Sequence, residues 1–233
     1  MGSTAQNEMA VIMLLIVQWL ALAVACLFCV GLFLRRRARL SGGAYNANVP
    51  PYSIFPQRPS CWLAIRSATP EQVRDALGLS RFAPCSWAEG MTGEHEFFIS
   101  PRVNGWVIVT GLAIPTPDDD VDECFRFLVS LSRKLGHVQF FHAQRFLHHH
   151  AWARLDDGYV TRAYAWADGT VWNQGPRTLP EMELGLKCFD YGDPCPRNVA
   201  VRNAETVSRL AARWNFDPAA VDERAVGMAG ERP

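Results

Sequence analysis

Between Met9 and Leu34 the chain reads MAVIMLLIVQWLALAVACLFCVGLFL, without one charged side chain and with a single strongly polar one, Gln18. A helix needs about 20 apolar residues to cross the hydrocarbon core of a bilayer, at roughly 1.5 Å rise per residue. The run meets that length. Its flanks give it a direction: Arg35, Arg36, Arg37 and Arg39 follow it, whereas the residues before it include no Lys or Arg and carry Glu8. Basic residues close to a span are retained on the cytoplasmic side. The expected arrangement is therefore a short extracytoplasmic N-terminus (residues 1–8), one span of the inner (plasma) membrane (9–34) and a cytoplasmic remainder. The bilayer is then a partner of residues 9–34, and anionic lipid headgroups are partners of the four arginines. A cleaved signal peptide has a basic leader and an apolar stretch of about 7–15 residues. MGSTAQNEMA has no basic residue, and Phe28 to Leu34 carry the apolar run past the small-residue stretch Ala23-Val24-Ala25-Cys26.

Residues 35–60 combine the basic cluster with a segment rich in Gly, Pro, Asn and Ser, which reads as a linker. Residues 61–225 suffice for one domain with a substantial core, and residues 226–233 read as a disordered tail. Setting aside the four juxtamembrane arginines and Glu8 leaves 19 of 23 basic and 22 of 23 acidic side chains. A nucleic-acid surface shows a basic excess, so this balance excludes that class. Cys26 and Cys29 lie in the apolar run; Cys61, Cys85, Cys124, Cys188 and Cys195 follow at irregular spacing. An odd set without a CxxC pair is the signature of reduced thiols in a cytosolic setting.

Period and punctuation predict a strand at 61–67 and a helix at 69–79, with Thr69 as N-cap, Pro70 at the first turn and Gln72 completing a capping box. Strands follow at 85–89, 96–100 and 105–111; the last, GWVIVTG, is apolar throughout and reads as central. A helix at 120–135 presents Cys124, Leu128, Leu131 and Leu135 on one face and ends at Gly136. Strands at 137–145, 149–155 and 159–167 come next, the last two joined through Asp156-Asp157-Gly158. Further helices are expected near 179–188, at 204–214 with Asn203 as cap, and at Asp217-Pro218. The fold class is α+β: a single N-terminal transmembrane helix, then an antiparallel sheet of six or seven strands with helices packed on one face and a helical C-terminal extension. Strand, helix, strand, strand occurs twice, in 62–100 and 106–155, an order that allows two βαββ-type repeats.

Four groups of residues have chemical potential. His142, His148 and His150 with Asp156 are a candidate metal set, the basis of an alternative reading as a metal-dependent hydrolase. On a regular strand, though, only alternate residues share a face. Cys85 with His95 as base is a candidate nucleophile, conditional on a lowered thiol pKa. The acids Asp118, Asp119, Asp120, Asp122 and Glu123 lack the spacing of a calcium loop and read as a solvated helix start. Trp152, Arg154, Arg162, Trp166 and Trp172 are a candidate binding patch, because Trp and Arg dominate hot spots at protein interfaces. GxGxxG, GxxxxGK and GxSxG are all missing from the sequence, so no cofactor is expected.

The stretches NGWVIVTG, SRKLGHVQFF, HHAWARLDDG, VTRAYAW and WNQG resemble a conserved family of uncharacterised bacterial membrane-anchored proteins, over about residues 61–217. The resemblance implies one coherent domain and brings no activity, cofactor or catalytic residue. The resulting expectation is a membrane-tethered cytoplasmic module that binds a protein partner, of the kind seen in immunity or toxin-neutralising proteins, rather than an enzyme.

Overall fold

The computed structural model describes residues 59–144, 146–214 and 225–233. The apolar run at 9–34, the linker up to residue 58 and the helical turn expected at Asp217-Pro218 lie outside the described residues. Among the described residues, no helix is long and apolar enough to cross a membrane.

The centre of the fold is built by β1 (Cys61–Arg66), α1 (Pro70–Leu77), β3 (Phe97–Ile99), β4 (Trp106–Thr110), α3 (Val121–Leu135) and β5 (Val138–Gln144). β1 lies antiparallel between β4 and β5, and β4 lies antiparallel between β1 and β3. α3 thus joins two parallel strands, β4 and β5, that have β1 between them, a split βαβ arrangement, while α1 begins the longer connection from β1 to its parallel neighbour-but-one β3. The remaining strands widen this core. β2 (Arg81–Ser86) and β9 (Val226–Glu231) extend one side, while β6 (His149–Asp156), β7 (Tyr159–Trp166) and β8 (Thr170–Gln174) extend the other. The result is one nine-stranded sheet in the order β2-β9-β3-β4-β1-β5-β6-β7-β8.

Local chemistry explains where the elements begin and end. Thr69 accepts from the backbone N–H of Gln72, and the Gln72 side chain returns a bond to the Thr69 N–H, closing the capping box of α1; Gly78 ends that helix in the left-handed region. Asp120 caps α3 by accepting from the N–H groups of Asp122 and Glu123. Caps of this kind are worth about 1 kcal/mol each. The hairpin between β6 and β7 turns at Asp157 and Gly158, both at positive φ, which suits a two-residue turn between twisted strands.

Both faces of the sheet are covered. On the first, Leu63, Ile65, Val107, Val109, Phe140 and Leu155 pack beneath α1 and α3. On the second, Trp62, Ile108, Phe141, Trp152, Tyr164 and Trp214 pack beneath α5 (Arg197–Arg213), with the short α2 (Trp87–Gly90) beside them and α4 (Leu179–Glu183) against α5. This corrects the expectation of helices on one face only: the central strands are apolar on both sides, so each side needs a cover.

Four further expectations change. The strand expected at 85–89 is the end of β2 followed by α2. β8 adds a strand after Trp166. α5 starts at Arg197, so Asn203 sits inside it and does not cap it. The expected disordered tail, 226–233, contributes β9, which is hydrogen-bonded on both edges between β2 and β3.

Candidate functional site

The proposed Trp and Arg patch is core. Trp152, Trp166 and Trp172 are all no more than 9 % exposed, and Arg162 is 1 % exposed. They do not share one face either, since Trp172 packs under α3 on the first face while Trp152 and Trp166 belong to the second. Arg154 stacks its guanidinium over Trp214, 5.3 Å from the ring centroid. Arg162 is bound into a buried node around Glu181. The Glu181 carboxylate accepts from Arg162 Nε (2.9 Å) and Nη2 (2.8 Å), from Trp152 Nε1 (2.8 Å), and from the N–H (2.7 Å) and Oγ1 (2.8 Å) of Thr178. Burial alone would raise the Glu181 pKa, but the Arg162 and Thr178 donors override it and keep the carboxyl below its ordinary value. The node is fully satisfied and clamps α4 to β6 and β7.

The candidate metal set does not converge. His142 faces the first side of the sheet. His148 stands in the β5–β6 turn at φ +60, and Asp156 is at the far end of β6, paired with His137 at 2.5 Å. His150 faces the second side, where its Nδ1 lies 2.9 Å from the His148 carbonyl and its Nε2 lies 3.2 Å from Asn203 Nδ2. These partners require Nδ1 to donate and Nε2 to accept. Successive strand residues face opposite ways, so the sequence cluster is divided by the sheet. The metal-hydrolase alternative on His142, His148, His150 and Asp156 loses its geometric basis.

What the fold does assemble at that sheet end is His142, Asp118 and His149. Asp118 Oδ1 lies 3.1 Å from His142 Nε2, off the direction a hydrogen bond needs, and Oδ2 lies 3.4 Å from His149 Nδ1. Burial pushes the Asp118 carboxyl up, while His142 and Thr116 beside it more than reverse this and hold it well below the usual carboxylate range. The sequence offered no sign that Asp118 turns inward while its neighbour Asp120 caps a helix.

The Cys85 and His95 pairing, by contrast, is present. Cys85 closes β2 on the second face, and its Sγ lies 3.4 Å from His95 Nε2. Glu89, on α2, approaches the same ring nitrogen at 3.5 Å. A nucleophilic dyad needs the third group on the far nitrogen, orienting the base. It also needs an acidified thiol, whereas burial and the neighbouring Glu89 push the Cys85 thiol up to about 11. As a nucleophile this thiol is poorly placed.

No protein-family model, no curated protein and no solved structure matches the chain. Its surface must therefore be read on its own terms. Among the described residues, the most exposed large apolar side chain is Phe146, at 94 %, with Leu147 beside it at 58 %, both in the turn between β5 and β6. Leu112, 51 % exposed, follows β4 at the same end of the sheet, where Trp62 pairs with both Thr110 and Phe141. Neither turn residue packs against the core, so neither is explained by stability.

Proposed function

We propose that this protein is a single-pass, membrane-tethered module whose folded body lies on the cytoplasmic side and binds a protein partner through the sheet end that carries Phe146, Leu147 and Leu112. The tether reading is supported by the uncharged run at 9–34 and the four arginines that follow it. The observation that carries the binding reading is the adjacent exposed pair Phe146 and Leu147. Fully burying such a side chain is worth about 1.5–3 kcal/mol, and clustered exposed apolar residues mark interaction sites. The chain enters the sheet at the same end, where Ser60 accepts a backbone hydrogen bond from Ala143.

Site-directed photocrosslinking from position 147 in intact membranes tests this reading. A discrete crosslinked protein species that disappears in a Phe146→Ser background supports it. Crosslinks to lipid alone, or recovery of the chain in the soluble fraction after gentle lysis, would require a different assignment.

A further inference from the structure

We propose that Cys85, Glu89 and His95 form a zinc-binding site with one coordination position left open. Among the described residues, this trio alone brings three ligand atoms of His, Cys, Asp or Glu within 4.8 Å of one another. A tetrahedral zinc, with Zn–S about 2.3 Å and Zn–N and Zn–O about 2.0–2.1 Å, spaces its ligand atoms roughly 3.4–3.6 Å apart. Cys85 Sγ and His95 Nε2 are separated by 3.4 Å, and His95 Nε2 and Glu89 Oε1 by 3.5 Å. Two edges of the coordination tetrahedron are thus already set by the protein.

The three residues are also held in place without the ion. Ser86 Oγ accepts from the Glu89 N–H at 3.2 Å, and Thr92 Oγ1 donates to the Glu89 carbonyl at 2.8 Å. Thr110 Oγ1 donates to the carbonyl of Gly90 at 2.7 Å, and the His95 carbonyl accepts from the Leu112 N–H at 2.9 Å. Gly90 lies against the ring of Phe98, where an added Cβ would overlap it. These bonds fix the backbone that carries Glu89 and His95. Cys85 itself is fixed by the pairing of β2 with β9 opposite Gly227.

The donor set points to the metal. A thiolate with an imidazole and a carboxylate suits a borderline-soft divalent ion, and magnesium or calcium would call for oxygen ligands instead. The present arrangement sets a thiol and a carboxylate around one ring nitrogen. A divalent cation among them gives each lone pair a partner. On binding, the Cys85 S–H bond breaks, its electron pair becomes the S–Zn bond and the proton passes to solvent. Three protein ligands leave the fourth position to water, the composition of an open zinc site.

The test uses the full chain purified in detergent, stripped with a chelator and titrated with Zn²⁺ against a chromophoric competitor. One equivalent should bind, and Cys85→Ser, His95→Ala and Glu89→Gln should each weaken binding by at least about tenfold. Co²⁺ should give a thiolate charge-transfer absorption that Cys85→Ser abolishes and Cys195→Ser retains. Circular dichroism of the variants separates ligand loss from unfolding, and Zn²⁺ should raise the Tm of the parent chain but not of Cys85→Ser. Absence of stoichiometric uptake, or a cobalt spectrum indifferent to Cys85, overturns the site. Neither result bears on the membrane tether, which rests on other residues.

Discussion

His150 shows how burial converts a sequence feature into a stability term. It lies on the second face between Trp152 and Tyr164, with ring centroids 5.8 Å and 5.9 Å away, and burial, aided by the charges of His142 and His149, lowers its pKa to about 4. The unfolded chain, with an ordinary imidazole near 6.5, takes up the proton first as the pH falls. The stability this group contributes is therefore complete above about pH 6.5 and declines between 6.5 and 4. The loss amounts to about 3 kcal/mol at 1.36 kcal/mol per unit. Asp118 and Glu181, whose pKa values are lowered, lose their contributions only below the ordinary carboxylate values. Urea midpoints at pH 7, 5.5 and 4.5 should fall steadily in the parent chain and much less in His150→Gln; equal slopes would show that another group titrates in that window. The same residue marks a limit of sequence reading. HHH at 148–150 reads as one cluster, yet a turn residue and two opposite strand faces separate its members, and only the pairing register assigns those faces. The burial of the tryptophans escapes the sequence for a related reason: period 2 identifies a strand but not which of its sides a helix covers, and here α5 covers the face of Trp152 while α3 covers that of Trp172.

Among the elements, those with local signals were legible. α1 and α3 carry caps, apolar stripes and terminating glycines, and the β6–β7 hairpin carries its Asp-Gly turn. β2 and β9 carry none of these. Pro84 interrupts the apolar alternation of β2, which is tolerated because β2 is the outermost strand of its side. β9 reads VGMAGE, without a β-branched residue after Val226, and its glycines are a response to tertiary neighbours. A Cβ at Gly227 would lie 2.3 Å from the Ile99 carbonyl oxygen and 2.8 Å from the Phe98 ring. No sequence window around residue 227 contains that information. Gly227→Ala should therefore push β9 away from β3 and cost about 1–3 kcal/mol, the range for overpacking. Gly230→Ala, whose nearest contacts are 3.0 Å away, should cost less. Thermal midpoints rank the two variants, and hydrogen exchange locates the damage, with amides of β2 and β3 expected to lose protection. If Gly227→Ala leaves those amides unchanged, β9 does not close the sheet as described.

At the scale of the whole molecule, the body and the proposed tether have different electrostatic roles. Beyond the arginine cluster the chain carries 22 acidic against 19 basic side chains, so the body has no net attraction to an anionic leaflet. In the proposed arrangement the four arginines at 35–39 would both fix orientation and meet lipid headgroups. This makes orientation a property of a few charges and separable from the fold. Replacing Arg35, Arg36, Arg37 and Arg39 with Ala while placing arginines before Met9 should invert the chain and expose the body outside the membrane. Protease added to spheroplasts should spare the body of the parent chain and digest that of the inverted variant. Thiol labelling gives an independent readout, because Cys61, Cys85, Cys124, Cys188 and Cys195 are all free. After denaturation all five should react with a maleimide in the parent, whereas delivery to an oxidising compartment should leave fewer reactive in the inverted chain. A parent body that is digested from outside, with thiols already oxidised, would place the fold on the other side of the membrane and move its partner there as well.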